Sequence, residues 1–115
     1  MKVDRTRLYD SSDDFFELNG SIIMKLTRTA AQDVCIKALE HGLLVVRIER
    51  GIWHNPGFKA RLDCIWDGVD PPVSEAEAMI NNAKALEMIR EESEVHDAFI
   101  ITTASIKGYK SHRMR

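Results

Sequence analysis

The stretch from Gly42 to Trp66 constrains the fold more than any other part of the chain, because it predicts two strands joined by a loop. Its first part, Leu43–Glu49, is apolar and rich in β-branched residues, which favours a strand. Its second part, residues 58–66, alternates apolar with charged residues, which is typical of a strand with one buried face. In the first strand we expect inward Leu44, Val46 and Ile48 and outward Val45, Arg47 and Glu49.

Between the two strands, residues 50–57 predict an eight-residue loop. The sequence Asn55-Pro56-Gly57 favours a turn, because proline fixes its own φ and glycine tolerates positive φ. Trp53 and His54 precede this turn and are expected to be exposed at the tip. Long loops with an aromatic tip are often contact surfaces.

Two capping boxes place helices on either side of the hairpin. Thr29 with Gln32 begins the first predicted helix, and Gly42 ends it in the position where a left-handed residue is favoured. Ser74 with Glu77 begins the second. Its apolar spacing predicts a buried stripe of Ala76, Met79, Ile80, Ala83, Leu86 and Ile89.

Two further segments have high β propensity, Ser21–Leu26 and Ala98–Thr103. The pattern as a whole predicts an α+β fold, a single small domain with a mainly antiparallel sheet of three to four strands covered by two helices. We assign residues 1–23 to an N-terminal extension that docks through Phe15 and Phe16, residues 24–106 to the domain, and residues 107–115 to a basic tail.

The composition is that of an ordinary globular domain, with 44% hydrophobic and 30% charged residues in a chain of 115. A chain of this length can bury one core. No apolar run approaches the roughly 18 residues of a membrane span, and the N-terminus has no apolar signal segment. We therefore expect a cytoplasmic protein with no membrane partner.

The motifs of common enzymes and metal sites are missing from the sequence. It has no glycine-rich phosphate loop, nucleophile elbow or HExxH pattern, and it implies no cofactor. Cys35 and Cys64 are predicted to be buried thiols, because each falls on a predicted buried face, and neither has neighbours at zinc-ligand spacing. A small enzyme built around His54 is a third-ranked alternative.

Acidic residues are concentrated in the second half of the chain. Residues 67–106 contain nine acidic and two basic residues, although the whole chain has a formal net charge of −2. Glu87 and Glu91 lie one helical turn apart, where like charges repel. Either this is a solvated helix face, or a partner with positive charge compensates for the repulsion.

Several particular residues, taken together, match one known family. The most specific is a Gly-x-Trp-x-Asn-Pro-Gly-Phe motif, residues 51–58, followed by a strand that ends in Trp66. With these features the chain resembles the immunity proteins of the anticodon-cleaving tRNase colicins over residues 24–106. The other matching pieces are Met24-Lys25-Leu26, Ala30-Ala31, Val34-Cys35, Gly42-Leu43 and Ala98–Thr102.

The resemblance implies a single-domain inhibitor without catalytic activity, whose partner is a cognate nuclease (tRNase) toxin domain. It further implies that the inhibitor blocks the cleft that would hold the tRNA anticodon. Such a cleft binds phosphates and stacks bases, so an inhibitor needs carboxylates and a flat aromatic side chain. The candidate partner-binding residues are Trp53, His54, Asn55, Asp67, Asp70, Glu75, Glu77, Glu87 and Glu91, with no metal ligands and no catalytic residues.

Two alternatives remain open at this point. Trp53 could instead fold back over the sheet edge, whereas Trp66 ends an inward-facing series and is expected in the core. The chain could also be a small RNA-binding module that uses the basic hairpin face of Arg47, Lys59 and Arg61. Direct nucleic-acid binding is disfavoured, because acidic residues interrupt that face and the domain is not basic overall.

Overall fold

The computed structural model describes residues 2–54, 57–91 and 97–108, and for residues 57–64 it describes the backbone only. The first elements are strand β1 (Leu8–Tyr9), helix α1 (Ser12–Glu17), strand β2 (Lys25–Leu26) and helix α2 (Arg28–Lys37). A short 3-10 turn, Leu39–His41, follows α2. Strands β3 (Leu43–His54) and β4 (Gly57–Asp67), helix α3 (Glu75–Glu91) and strand β5 (Ala98–Ser105) complete the fold.

The five strands form one sheet in the order β1-β2-β5-β3-β4. Only the β1–β2 pair is parallel among the described strands, so the predicted α+β class and mainly antiparallel sheet are confirmed. The predicted number of strands and helices was too low, because residues 8–17 add a strand and a helix. The predicted docking of this segment through Phe15 is confirmed, since only 2% of Phe15 is exposed. The boundary at residue 23 stays a prediction.

Helix α2 begins two residues earlier than the predicted capping box. The hydroxyl of Thr27 accepts a hydrogen bond from the backbone N–H of Ala30, 3.2 Å away, so Thr27 is the N-cap and Thr29 lies inside the helix. The predicted left-handed cap at Gly42 is confirmed, with φ of 70°. The core between the sheet and the helices is filled by buried side chains from both layers, among them Ala30, Ala31, Val34, Cys35, Ala85, Ile89, Phe99 and Ile101.

Strand β3 departs from the predicted alternation at Val46. Its pairing with β5 slips by one residue between Val45 and Arg47, which marks a β-bulge that places one extra residue in β3. Val45, predicted to face outward, is therefore fully buried. Val46, predicted to face inward, is only partly buried. Ile48 is fully buried as predicted.

The predicted eight-residue loop is wrong, because both strands continue through it. Strand β3 runs to His54 and β4 begins at Gly57, with Trp53 paired to residue 58. Gly51 lies within strand β3, next to a register shift in the pairing of β3 with β4. Glu49 pairs with residue 65 and Gly51 with residue 60, so residues 61–64 of β4 all lie opposite Arg50. Glycine in a strand often marks such a bulge.

Helix α3 confirms the predicted stripe only at its C-terminal end, where Ile89 is buried and Leu86 partly buried, while Ala76, Met79, Ile80 and Ala83 are exposed. Its buried residues are Ala78, Asn81, Asn82, Ala85 and Ile89, while Met79 and Ile80 are each 58% exposed. The reason is a set of hydrogen bonds to β3. Asn82 accepts from the N–H of Val45 at 2.9 Å and donates to the carbonyl of Leu43 at 3.1 Å. Asn81 donates to the carbonyl of Val45 at 2.8 Å.

These amides replace a missing strand. Strand β3 pairs with β4 only from Arg47 onward, so the first residues of β3 have no strand on that side. Buried backbone N–H and C=O groups must find partners, and the two asparagines supply them. Trp66 of β4 is partly buried against the same core, as predicted.

We expect Asn82→Ala to lower the free energy of unfolding by about 1–3 kcal/mol, because it leaves buried backbone groups of β3 without a partner. The measurement is urea denaturation followed by circular dichroism. Lys84→Ala, an exposed position on the same helix, is the control and should change stability by less than about 0.5 kcal/mol. Equal effects of the two substitutions would contradict the role assigned to the asparagines.

Candidate partner-binding surface

The helices pack on one face of the sheet, and the opposite face carries charged and polar side chains beside apolar ones such as Ile100, which pairs with Glu49. Beyond the bulge, Arg47 and Glu49 of β3 point to this opposite face, because Ile48 between them points to the helices. Trp53 lies four residues after Glu49 and falls on the same face by strand alternation. Asp67 of β4 pairs with Arg47 and lies on the same side. We call this surface the open face and define it by Arg47, Glu49, Trp53, Asp67 and Thr102.

The open face contains a concavity of about 410 Å³ next to the end of β4. Two predicted site residues, Asp67 and Asp70, line it together. Glu49, which the sequence placed outward but not in the site, lines it as well. The remaining lining residues are Ile22, Val46, Arg47 and Thr102.

Asp67 is engaged in an ion pair in this concavity. Its Oδ1 atom lies 2.8 Å from Nε of Arg47, and both side chains are largely exposed. The hydrogen bond and the charge of Asp67 raise the pKa of Arg47. A partner that approaches Asp67 therefore meets a carboxylate paired with Arg47, and Arg47 is not an isolated cation available for a phosphate.

Trp53 and His54 lie at the far end of β3, close to the turn. Trp53 is partly buried and His54 is exposed. The backbone N–H of Trp53 donates to Oδ1 of Asp97 at 2.8 Å, which fixes the end of the strand. Trp53 is about 13 Å from Glu49 along the strand, at about 3.3 Å per residue. Asn55, the third predicted residue of the tip, lies outside the described residues.

The four glutamates of the predicted site lie along helix α3 and do not form one cluster. Glu77 accepts from the N–H of Ser74 at 2.8 Å, and Ser74 accepts from the N–H of Glu77 at 3.1 Å, which confirms the predicted capping box. Glu75 is exposed in the same first turn. Glu87 and Glu91 are exposed near the other end, about 15 and 21 Å from Glu77 at 1.5 Å per residue.

Helix α3 also borders an exposed apolar groove that the sequence pattern did not reveal. The groove has a volume of about 200 Å³ and lies between Val69, Val73 and Ile80. Glu77 and Lys84 flank it. It exists because the asparagines occupy the buried face and turn Ile80 outward.

Ile22 is the most unusual residue that sequence reasoning missed. The strand predicted over Ser21–Leu26 is limited to Lys25–Leu26, and Ile22 instead has φ of 79° and is 61% exposed. A β-branched residue in this left-handed region is an outlier that costs about 1–2 kcal/mol. No local sequence signal identifies such a residue, because the conformation depends on what surrounds it.

Comparison with known proteins places the chain in a family. The family described as Colicin-E5 Imm protein matches residues 24–104. The chain belongs to this family of immunity proteins. It is 58% identical over 109 residues to the immunity protein CdiI of Burkholderia pseudomallei, which covers 95% of this chain and the whole of that relative. It is 38% identical over 80 residues to the colicin-E5 immunity protein of Escherichia coli, which covers 69% of this chain and 96% of that relative.

An immunity protein is an antitoxin that binds a cognate toxin, and the family names describe inhibitors, not enzymes. Within residues 2–54, 57–91 and 97–108, no three His, Cys, Asp or Glu side chains are placed to hold a metal ion. Over the same part of the chain, no helix is both long and apolar enough to cross a membrane. The buried thiol of Cys35 agrees with its prediction, while the side chain of Cys64 lies outside the description.

We expect the thiol of Cys35 to be unreactive in the folded immunity protein, because burial raises its pKa to about 12. At pH 8 only about one thiol in ten thousand would be ionised, and the thiolate is the reactive form. The measurement is iodoacetamide labelling of a Cys64→Ser variant, native and in urea. Labelling should be slow in the native state at pH 8 and fast after unfolding. Equal rates in the two states would contradict this assignment.

Proposed function

We propose that this immunity protein inhibits a tRNase toxin and that its open face occupies the toxin's RNA-binding cleft as an acidic mimic of nucleic acid. The observation that supports this most is the shared surface of Glu49, Asp67, Asp70 and Trp53, where carboxylates and an indole lie around and beyond one concavity. The proposal extends the antitoxin function of the family to a class of toxin and a mechanism.

The chemistry of an RNA-cleaving site makes these residue types suitable. Such a site needs cations for phosphates and surfaces on which unpaired bases stack. Carboxylates of Glu49 and Asp70 would meet the cations, and Trp53 would take the place of a base. Opposite charges on the two partners also accelerate their encounter.

The ion pair between Arg47 and Asp67 places a positive and a negative charge side by side on the open face. A carboxylate already hydrogen-bonded to Arg47 has its direction set before the partner arrives, which reduces the ordering cost of binding. Asp70 carries a second negative charge into the same concavity. Among the described residues that line the concavity, three carboxylates therefore surround one cation, Arg47.

The predicted contact residues fall into three groups according to their position on the fold. Trp53, His54, Asp67 and Asp70 belong to the contact with the toxin, together with Asn55 at the turn. Glu75 and Glu77 follow the loop that carries Asp70, and we place them at the rim of the contact with the toxin. Glu87 and Glu91 lie at the opposite end of a helix that packs on the other face of the sheet, so we place them outside the contact.

The RNA-binding alternative has less support. Arg47, the described member of the basic hairpin face, is paired with Asp67. The side chains of Lys59 and Arg61 lie outside the description. Direct binding of this chain to unrelated tRNA, tight at low salt and steeply weakened by added salt, would favour that alternative over inhibition of a toxin.

We expect the gene next to this one to encode the toxin, and co-expression of the immunity protein to protect cells from it. The purified pair should form a stoichiometric complex in which tRNA cleavage is suppressed. Cleavage of tRNA by the complex at the rate of the isolated toxin would contradict the proposed mechanism. A neighbouring toxin with no nuclease activity would contradict the assigned toxin class.

We expect Trp53→Ala to weaken the complex by more than about 1 kcal/mol, because an aromatic interface anchor usually contributes at least this much. Asp70→Asn should also raise the Kd, with a slower association rate at low salt. Isothermal titration calorimetry and stopped-flow mixing give the two quantities. Glu87→Gln is the matched control and should leave both unchanged. Equal weakening by Glu87→Gln and Asp70→Asn would place the contact elsewhere.

A further inference from the structure

We propose that Ile22 is a specificity-determining contact for the toxin, supplied to the open face by the N-terminal segment outside the family core. This inference rests on the proposed function, since it concerns the same face and the same partner. It adds an apolar anchor to a surface otherwise described by charge. It also gives the segment before residue 24 a role in recognition.

Ile22 lies where an interface anchor would have to lie. It lines the same concavity as Glu49, Asp67 and Asp70 and is 61% exposed. Interfaces usually combine an apolar centre with a polar rim, and here one large apolar side chain is bordered by carboxylates. Ile36 on helix α2 is comparably exposed, at 55%, but does not line this concavity, so exposure by itself does not distinguish the two residues.

The backbone of Ile22 is held in a conformation that its side chain disfavours. Its φ of 79° suits glycine or asparagine much better than a β-branched residue. An exposed side chain gains little burial energy that could compensate for this strain. Strained positions that persist in a folded protein cluster at binding and catalytic sites.

Buried neighbours on both sides impose this conformation. The N–H of Ile22 donates to the carbonyl of Ile101 on β5 at 3.0 Å. The Ser21 hydroxyl accepts from the N–H of Thr103 at 2.8 Å. The turn is closed by the N–H of Met24, which donates to the carbonyl of Gly20 at 2.9 Å, and Met24 is fully buried. The backbone around Ile22 is therefore held beside β5 by these hydrogen bonds.

The turn is packed so tightly at Gly20 that a side chain there would meet its neighbours. A Cβ atom at Gly20 would lie 2.8 Å from Cβ of Met24 and 2.9 Å from Cδ1 of Phe15. Phe15 is itself buried in the core. Helix α1, which carries Phe15, thus packs against the Gly20–Met24 turn from the core side. Ile22 in the same turn lies at the open face.

The lengths of the relatives separate this segment from the shared core. The family match begins at residue 24. The colicin-E5 immunity protein is matched over 96% of its length by 80 residues, which leaves it too little chain for a counterpart of residues 2–23. The CdiI relative matches over 95% of this chain and so includes most of this segment. A residue supplied by the segment can therefore distinguish toxins that the shared core alone would not.

The partner that fits this site is a toxin surface with an apolar recess flanked by basic side chains. The recess would take Ile22, and the basic groups would face Glu49 and Asp70. Because hydrogen bonds already hold the backbone at Ile22, little backbone freedom is lost on binding, and the contact depends on the shape of the recess. A related toxin with a bulky or polar residue in that recess would be rejected.

The test is the Kd of the full-length chain for the toxin of the neighbouring gene, measured for wild type, Ile22→Ala and Ile36→Ala. We expect Ile22→Ala to raise the Kd about tenfold or more, as interface anchors do, and Ile36→Ala to change it less than about twofold. Ile22→Gly serves as the second variant, because it removes the side chain and the backbone strain together. It should weaken binding like Ile22→Ala while the unfolding midpoint in urea stays equal to wild type or rises.

The outcomes separate this inference from the function on which it rests. If wild type binds and inhibits the toxin but Ile22→Ala and Ile22→Gly bind equally well, this inference is overturned and the proposed function stands. If wild type neither binds nor inhibits the toxin, both are overturned. A lower unfolding midpoint in Ile22→Gly together with unchanged affinity would mean that Ile22 is structural, which also overturns the inference.

Discussion

The hydrogen bonds from Asn81 and Asn82 to strand β3 are the interaction on which the rest of the structure depends. Strand β4 pairs with β3 only from Arg47 onward, so the first residues of β3 have no strand on that side. Without the asparagines, the buried backbone groups of these residues would have no hydrogen-bond partners. The two amides satisfy Val45 on both its N–H and its C=O. Asn81 also accepts from the N–H of Val69, which ties the loop after β4 to the same point. Helix, strand and loop are thus joined by a few polar contacts within an apolar core.

The bulge at Val46 gives the sheet its two different faces. Because it adds one residue to β3, Val45 and Ile48 both reach the helix side, while Arg47 and Glu49 reach the open side. Without the extra residue, the charged positions beyond it would point into the core. The acidic concavity and the packed core are therefore set by the same irregularity. Gly68, where a Cβ atom would lie 2.6 Å from the carbonyl of Val45, allows the chain to turn closely past this point.

Local signals in the sequence predicted the parts of the fold that local chemistry decides. The capping box of Ser74 and Glu77, the left-handed Gly42 and the buried Cys35 depend on near neighbours or on simple periodicity. Most of the buried face of α3 was mispredicted, because apolar spacing takes no account of where a distant strand loses its partner. The turn at Ile22 and the bulge of β3 likewise arise from pairing with β5, which is remote in sequence. The same limit applied to the prediction of the candidate site. Asp67 and Asp70 were predicted as candidate contacts from the acidic composition, whereas the position of Glu49 and Ile22 beside them required the assembled sheet.

The irregularity in β4 also affects how readily the border of the sheet could pair with another strand. Strand β4 forms the outer border of the sheet and is eleven residues long, a length at which an unpaired edge readily templates another strand. Four residues facing Arg50 interrupt its regular pairing and divide it into two short runs. Bulges of this kind twist an edge and end its continuity. At the opposite border, β1 contributes only two residues. Both borders of the sheet are therefore poor templates for pairing with a further strand.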